Sequence, residues 1–404
     1  MLYELMNRNV SVCDISMDSK GQIKELKKIK EMQLMPICVR TKDGISENRL
    51  RRWYALRMIP KDRQFFSQLQ NNLRTEFIGE ILMKNHGFSL YDQYWIKEQG
   101  ENITWEENNY YKNSYSNETA VCFSKGDFSH TIRNLQSPDY TTPEKEIMVW
   151  QQTKEGKNQL FLFHDDEEYI KAERFLSCHA MELFGLEHVS MTMGKQNEKP
   201  YLCMDQFTAE NIEYVPAYVI LNTGERLEGE SSYDHFLKRC RIYKIPNYQR
   251  FLDTMLCFDF IFHITDRNYY NFGFLRNMNN GSFIGPAPLY HNGYGLYNLM
   301  EMKNNKNRIN PIFNQSIDEN ISKIKRAEDL TINFEELPNI VRIFEENGGF
   351  FNEERRAAIT EMLRRRISTL PTLLIKNIEQ KTKRFYDLDK EYKQKYILTK
   401  NEIN

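Results

Sequence analysis

The stretch from Asn247 to Ile284 constrains the fold more than any other part of this 404-residue chain. Asn247 is placed to cap a helix over residues 248–263, along which Phe251, Met255, Phe258 and Phe262 recur with helical period. A polar segment, His263-Ile-Thr-Asp266-Arg-Asn-Tyr-Tyr-Asn271, follows at once. Two short apolar runs come next, residues 272–275 and 283–284, separated by the turn signal Asn279-Asn280-Gly281. A long apolar helix that runs into a polar loop and then a strand-turn-strand belongs to a chain mixing helices with sheets.

The flanking sequence extends that reading. Residues 159–163 (QLFLF) are short, apolar and bounded by charge, which suits a buried strand, and residues 201–204 read as another. Residues 168–184 place Tyr169, Ala172, Leu176, Ala180, Leu183 and Phe184 on one helical face, with Gly185 to close the helix. Asn352, followed by Glu353 and Glu354, caps a further helix carrying Ile359, Leu363 and Ile367, which Pro371 is expected to end. The C-terminal part is thus mainly helical, whereas the first 150 residues hold all four Trp in short segments with few long helical patterns. With 40% hydrophobic and 13% aromatic residues the chain has ample core, enough for one large bilobal unit or two to three packed subdomains.

Charge and cysteine usage exclude several classes. Lys plus Arg total 55 against 56 Asp plus Glu, so no global field draws the chain to nucleic acid or an anionic membrane. The basic segments KELKKIK (24–30) and RLRRWYALR (49–57) are short; the first reads as an amphipathic face with solvated lysines, so nucleic-acid binding ranks third among the functions weighed. Seven dispersed cysteines without a zinc spacing fit buried thiols in a reducing cytosol. The longest apolar stretch, residues 255–264, is broken by Asp259 and is about half a membrane span; with no signal peptide at the N-terminus, a soluble cytoplasmic protein is expected. Asp259 itself, an acid inside an apolar helix, is expected to be a buried structural group hydrogen-bonded to the loop that follows.

An Asp and an Asn five residues apart, Asp266 and Asn271, on a loop after a helix, have the spacing by which kinases place a base and a metal-facing amide oxygen. The extended string DRNYYNFGFLRN, followed by APLYHNG at 287–293, resembles the HipA-like kinase family, whose motifs run D-R-H-x-x-N-F-G and A-P-x-F-D-x-G. Upstream, SPDYTT (137–142), QLFLF, residues 172–189 and residues 201–218 resemble that family's phosphate loop, lysine strand, glutamate helix and hinge, in order. The resemblance implies an α+β, kinase-like bilobal fold: an accessory region over 1–125, a sheet-containing lobe over 126–215 and a helical lobe over 216–404. It also implies ATP and Mg²⁺ as cofactors, with Asp266 as base, Asn271 at a metal position and Glu173 as the helix glutamate. His164, Met204, Phe207 and His291 then fall at nucleotide-binding positions. A protein substrate or regulatory protein, or an antitoxin-like companion, would be the partner.

Three departures from the family pattern point the same way. His291 stands where the family has its Mg²⁺-holding Asp, and imidazole is a poor Mg²⁺ ligand. His164, followed by Asp165 and Asp166, occupies the place of the phosphate lysine, and acids facing a triphosphate would repel it. No glycine occurs between Gly126 and Gly156, where the phosphate loop would need one. The sequence therefore reads first as a pseudokinase or weak kinase serving as a binding or regulatory module, with no cofactor required, and second as an active protein Ser/Thr kinase. Glu173 has a plain alternative as a solvent-facing helix carboxylate.

Overall fold

The computed structural model describes residues 1–290, 292, 294–297, 309–310, 312–313, 315–346 and 352–401. His291, assigned to the nucleotide site from sequence, lies outside them. The chain is an α+β protein that divides into two units. The first comprises Met1–His179, Glu187–Tyr248 and Asn268–Gly293; the second comprises Ala180–Leu186, Gln249–Arg267 and Tyr294–Asn404.

Among the described residues the first unit holds three antiparallel sheets of three or four strands, besides the short pair Arg40–Thr41 and Gly44–Ile45. One has the strand order Ile23–Ile29, Val10–Met17, Leu2–Asn7, Tyr94–Glu98. Val12, Ile15 and Met17 face its core. Residues 24–30, expected as an amphipathic face with solvated lysines, form the edge strand. Its outer side is partly blocked by the neighbouring helix Glu47–Ala55: Leu26 N donates to Glu47 Oε2 (3.0 Å) and Arg51 Nε donates to the Ile23 carbonyl (3.0 Å). That helix starts where Ser46 Oγ accepts from Arg49 N.

The second sheet runs Ile147–Gln152, Asn158–Phe163, Lys199–Asp205, Met191–Gln196, so the two strands expected from QLFLF and residues 201–204 pair directly, Tyr201 opposite Phe163 and Met204 opposite Leu160. Phe163, Ile147 and Val149 pack with Phe66, Ile81 and Phe123 in one apolar cluster. The third sheet is Ile212–Pro216, Gly273–Asn277, Phe283–Pro286, which contains the expected hairpin around Asn279-Asn280-Gly281. Gly273 is required there, because a Cβ would lie 2.4 Å from the Val215 carbonyl oxygen.

Two helical expectations need correction. Residues 168–184 are helical but not uniformly α: Glu167–Arg174 passes into a π-helical turn, Phe175–Ala180, before Met181–Phe184, and Gly185 closes the run with φ +60°. Pro371 does not end the last helix, which runs Glu353–Asn401 with the proline inside. Leu370 and Leu374 on either side are buried, and that packing holds the helix through a residue that cannot donate its own backbone bond. Its start is as expected, with Asn352 Oδ1 accepting from Arg355 N (2.8 Å).

In the second unit the apolar helix Tyr248–Phe262, all but its first residue, provides the core: Phe258 and Phe262 pack against Phe184 at centroid distances of 5.3 and 5.9 Å. Asn247 ahead of it is left-handed (φ 56°), a conformation asparagine tolerates better than most residues. Among the described residues no helix is long and apolar enough to cross a membrane.

Candidate functional site

The loop after Phe262 is fixed from within the second unit. Arg267 is fully buried and grips Asp259, with Nη2 2.8 Å from Oδ1 and Nε 3.2 Å from both carboxylate oxygens. Burial pushes the Asp259 carboxyl up to about 6, with the guanidinium pulling against it. Ile264 N also donates to the Asp259 carbonyl (2.9 Å). Asp259 is thus the structural acid the sequence suggested, and the loop is held at Ile264 and Arg267, with Asp266 between them and exposed.

In the first unit Asn271 closes a tight turn: its Oδ1 accepts from Asn268 N (3.0 Å), while Asn268 Oδ1 accepts from Tyr270 N (2.8 Å).

Glu173 is fully buried, which removes the solvent-facing alternative. One carboxylate oxygen accepts from Ser177 Oγ (2.5 Å) and the other from Asn292 N (2.5 Å), and Asn292 Nδ2 donates to the same hydroxyl (3.0 Å). Glu173 and Ser177 share a helix face by their spacing of four. That spacing was the available signal for Ser177, and Asn292 sat unremarked inside the APLYHNG motif.

His164 ends the strand Asn158–Phe163, half-buried, with its ring 4.2 Å from that of Tyr169 and its Nδ1 accepting from Asp166 N (3.1 Å). Burial holds its pKa below the ordinary histidine value, against the pull of Asp166. The two acids behind it have local work. Asp165 pairs with Lys199 (2.9 Å), which holds its carboxyl below the usual range, and Asp166 caps the next helix by accepting from Glu168 N (2.8 Å). Lys199 carried no sequence signal, since only strand pairing brings it there. Met204 is buried in mid-strand, and Phe207 packs against Tyr214 and Tyr290 at 5.7 and 5.8 Å.

The segment resembling a phosphate loop is a buried corner. Residues 137–142 are buried around the 3₁₀ turn Pro138–Thr141, with Ser137, Asp139, Tyr140, Thr141 and Thr142 0 to 3% exposed. Asp139 accepts from Trp150 N (2.7 Å) and Ser137 Oγ (3.0 Å), and burial pushes its carboxyl up to about 6. The hydroxyls of Thr141 and Thr142 both donate to the Pro138 carbonyl. In the next turn, Thr153 Oγ1 takes up the backbone N–H groups of Glu155 and Lys157.

No protein-family model matches the chain, and no curated protein does. Among solved structures it is similar to the proinflammatory kinase CtkA of Helicobacter pylori, with 18% identity over 58% of this chain and 95% of that one and a TM-score of 0.43. It is also similar to HipA of a Shewanella oneidensis MR-1 toxin-antitoxin system, in complex with HipB and operator DNA, with 12% identity over 94% of this chain and 91% of that one and a TM-score of 0.48.

Proposed function

We propose that the chain is a HipA-like, kinase-fold protein whose nucleotide site has lost phosphoryl transfer and which acts as a binding or regulatory module for a protein partner. The observation that carries this reading is the buried corner at 137–142. Phosphoryl transfer is catalysed by positioning and by surrounding the phosphates with N–H donors and cations. A segment that is buried, with the Asp139 carboxyl taken by the Trp150 backbone N–H and the Thr141 and Thr142 hydroxyls by the Pro138 carbonyl, offers the phosphates no cradle. A half-buried His164 in the place of the phosphate lysine, its pKa held below the ordinary histidine value by burial, agrees with it. Incubation with γ-labelled ATP and Mg²⁺ or Mn²⁺ is expected to label neither the protein nor a general acceptor, and Asp266→Asn to change nothing. A gain of transfer in His291→Asp would support loss of the metal position.

A second reading, an active protein Ser/Thr kinase using ATP and Mg²⁺, is favoured by the exposure of Asp266 on a loop pinned at both sides. There Asp266 accepts the substrate hydroxyl proton and Asn271 faces the metal. Metal-dependent labelling that Asp266→Asn abolishes would establish it. An antitoxin-like protein companion, as HipB is to HipA in the complex above, belongs to the first reading.

A further inference from the structure

We infer that Glu173, Ser177 and Asn292 form a latch that sets the position of the 287–292 segment and, through it, of the turn that presents Asn271. The inference stands apart from whether nucleotide binds, because it rests on bonds within the first unit alone.

Three buried side chains close a ring. Ser177 Oγ donates to Glu173, Asn292 Nδ2 donates to Ser177 Oγ, and the backbone N–H of Asn292 donates to the other Glu173 oxygen. Glu173 and Ser177 are 0% exposed and Asn292 1%. Two donors at 2.5 Å hold the buried carboxyl, and leaving either donor unmatched inside the protein is costly.

The latch sits where the helix changes hydrogen-bonding pattern. Glu173 is in the α-helical part, Glu167–Arg174, and Ser177 in the π-helical turn, Phe175–Ala180. Such turns are rare and are frequently found at functional sites. The turn and the ring are independent observations on the same few residues.

The other end of the latch reaches the candidate loop through backbone. Ala287 N donates to the Gly273 carbonyl (3.0 Å), at the start of the strand that begins two residues after Asn271, and Leu289 N donates to the Glu187 carbonyl (3.1 Å). Tyr290 OH donates to Glu144 Oε1 (3.2 Å) and anchors the same stretch from the other side. Asn292 lies two residues after the anchored Tyr290, so a shift of Asn292 is passed through the chain to Ala287, Gly273 and the Asn268–Asn271 turn. Glu173 and Ser177 act as positioning residues for that turn.

Hydrogen exchange followed by mass spectrometry and NMR tests this. In the wild-type protein the Asn292 amide is expected among the slowest-exchanging of its unit, and a fast-exchanging Asn292 overturns the proposal without any variant. Ser177→Ala, which removes the hydroxyl serving both partners, is expected to speed exchange at least tenfold in residues 268–273 and 287–292, with residues 2–17 unchanged. Asn292→Ala removes the amide leg and keeps the backbone leg, so a smaller rise in the same two segments is expected; it also decides the matter if Ser177→Ala does not fold. Folded variants with wild-type exchange in both segments, or acceleration spread evenly over the unit, would contradict the latch.

Discussion

At the scale of single residues, buried acids dominate the chemistry. Asp139 and Asp259 are pushed up to about 6 and Glu213 to about 7, each chiefly by burial. In the unfolded chain such carboxyls titrate near about 4. The folded protein therefore holds protons that the unfolded chain has already released, so stability from these three groups is fully present below about 4 and is lost as pH rises through 6 to 7. Urea midpoints measured from pH 5 to pH 8 should fall, and Asp139→Asn should flatten the fall. Asp259→Ala strands the Arg267 guanidinium and should cost about 3–5 kcal/mol, whereas Asp266→Ala on the exposed loop should stay within about 0.5 kcal/mol, both read by denaturant unfolding. Asp259 was legible because an acid inside an apolar helix has to be paired. The Ser177–Asn292 bond was not, because 115 residues separate its ends and no periodicity links them.

Elements were legible where a local rule decides them. The strands at 158–163 and 199–205 and the helix at 248–262 follow from apolar runs and helical spacing, and the hairpin from its Asn-Asn-Gly turn. Misreadings came where packing overrides a local rule. Pro371 would stop an isolated helix, but the buried Leu370 and Leu374 carry the helix past it. Pro371→Ala should accordingly raise stability by about 1–3 kcal/mol in thermal unfolding, while a proline that merely ended the helix would give no such gain. The edge strand at 23–29 resembled an amphipathic face because its lysines stand out to solvent, and only its pairing with residues 10–17 makes it a strand. Gly273→Ala should lower stability by about 1–3 kcal/mol, since the new methyl would meet the Val215 carbonyl at 2.4 Å.

At the scale of the whole molecule, the order of motifs along the chain was legible and the fate of each was not. Spacing placed Asp266 and Asn271 on the loop after the long helix, and both are found there. Spacing could not tell an open phosphate loop from the buried corner at 137–142, because that difference lies in the bond between Asp139 and Trp150 and in the packing of the surrounding sheet. On the proposed function, this corner leaves the protein unable to hold a nucleotide for transfer. This is tested most directly by the thermal midpoint of the purified protein with millimolar ATP or ADP, with and without Mg²⁺ or Mn²⁺, since a ligand that binds only the folded state must raise it. No shift is expected under any of these conditions. A metal-dependent rise in the midpoint with ATP would contradict the proposed function.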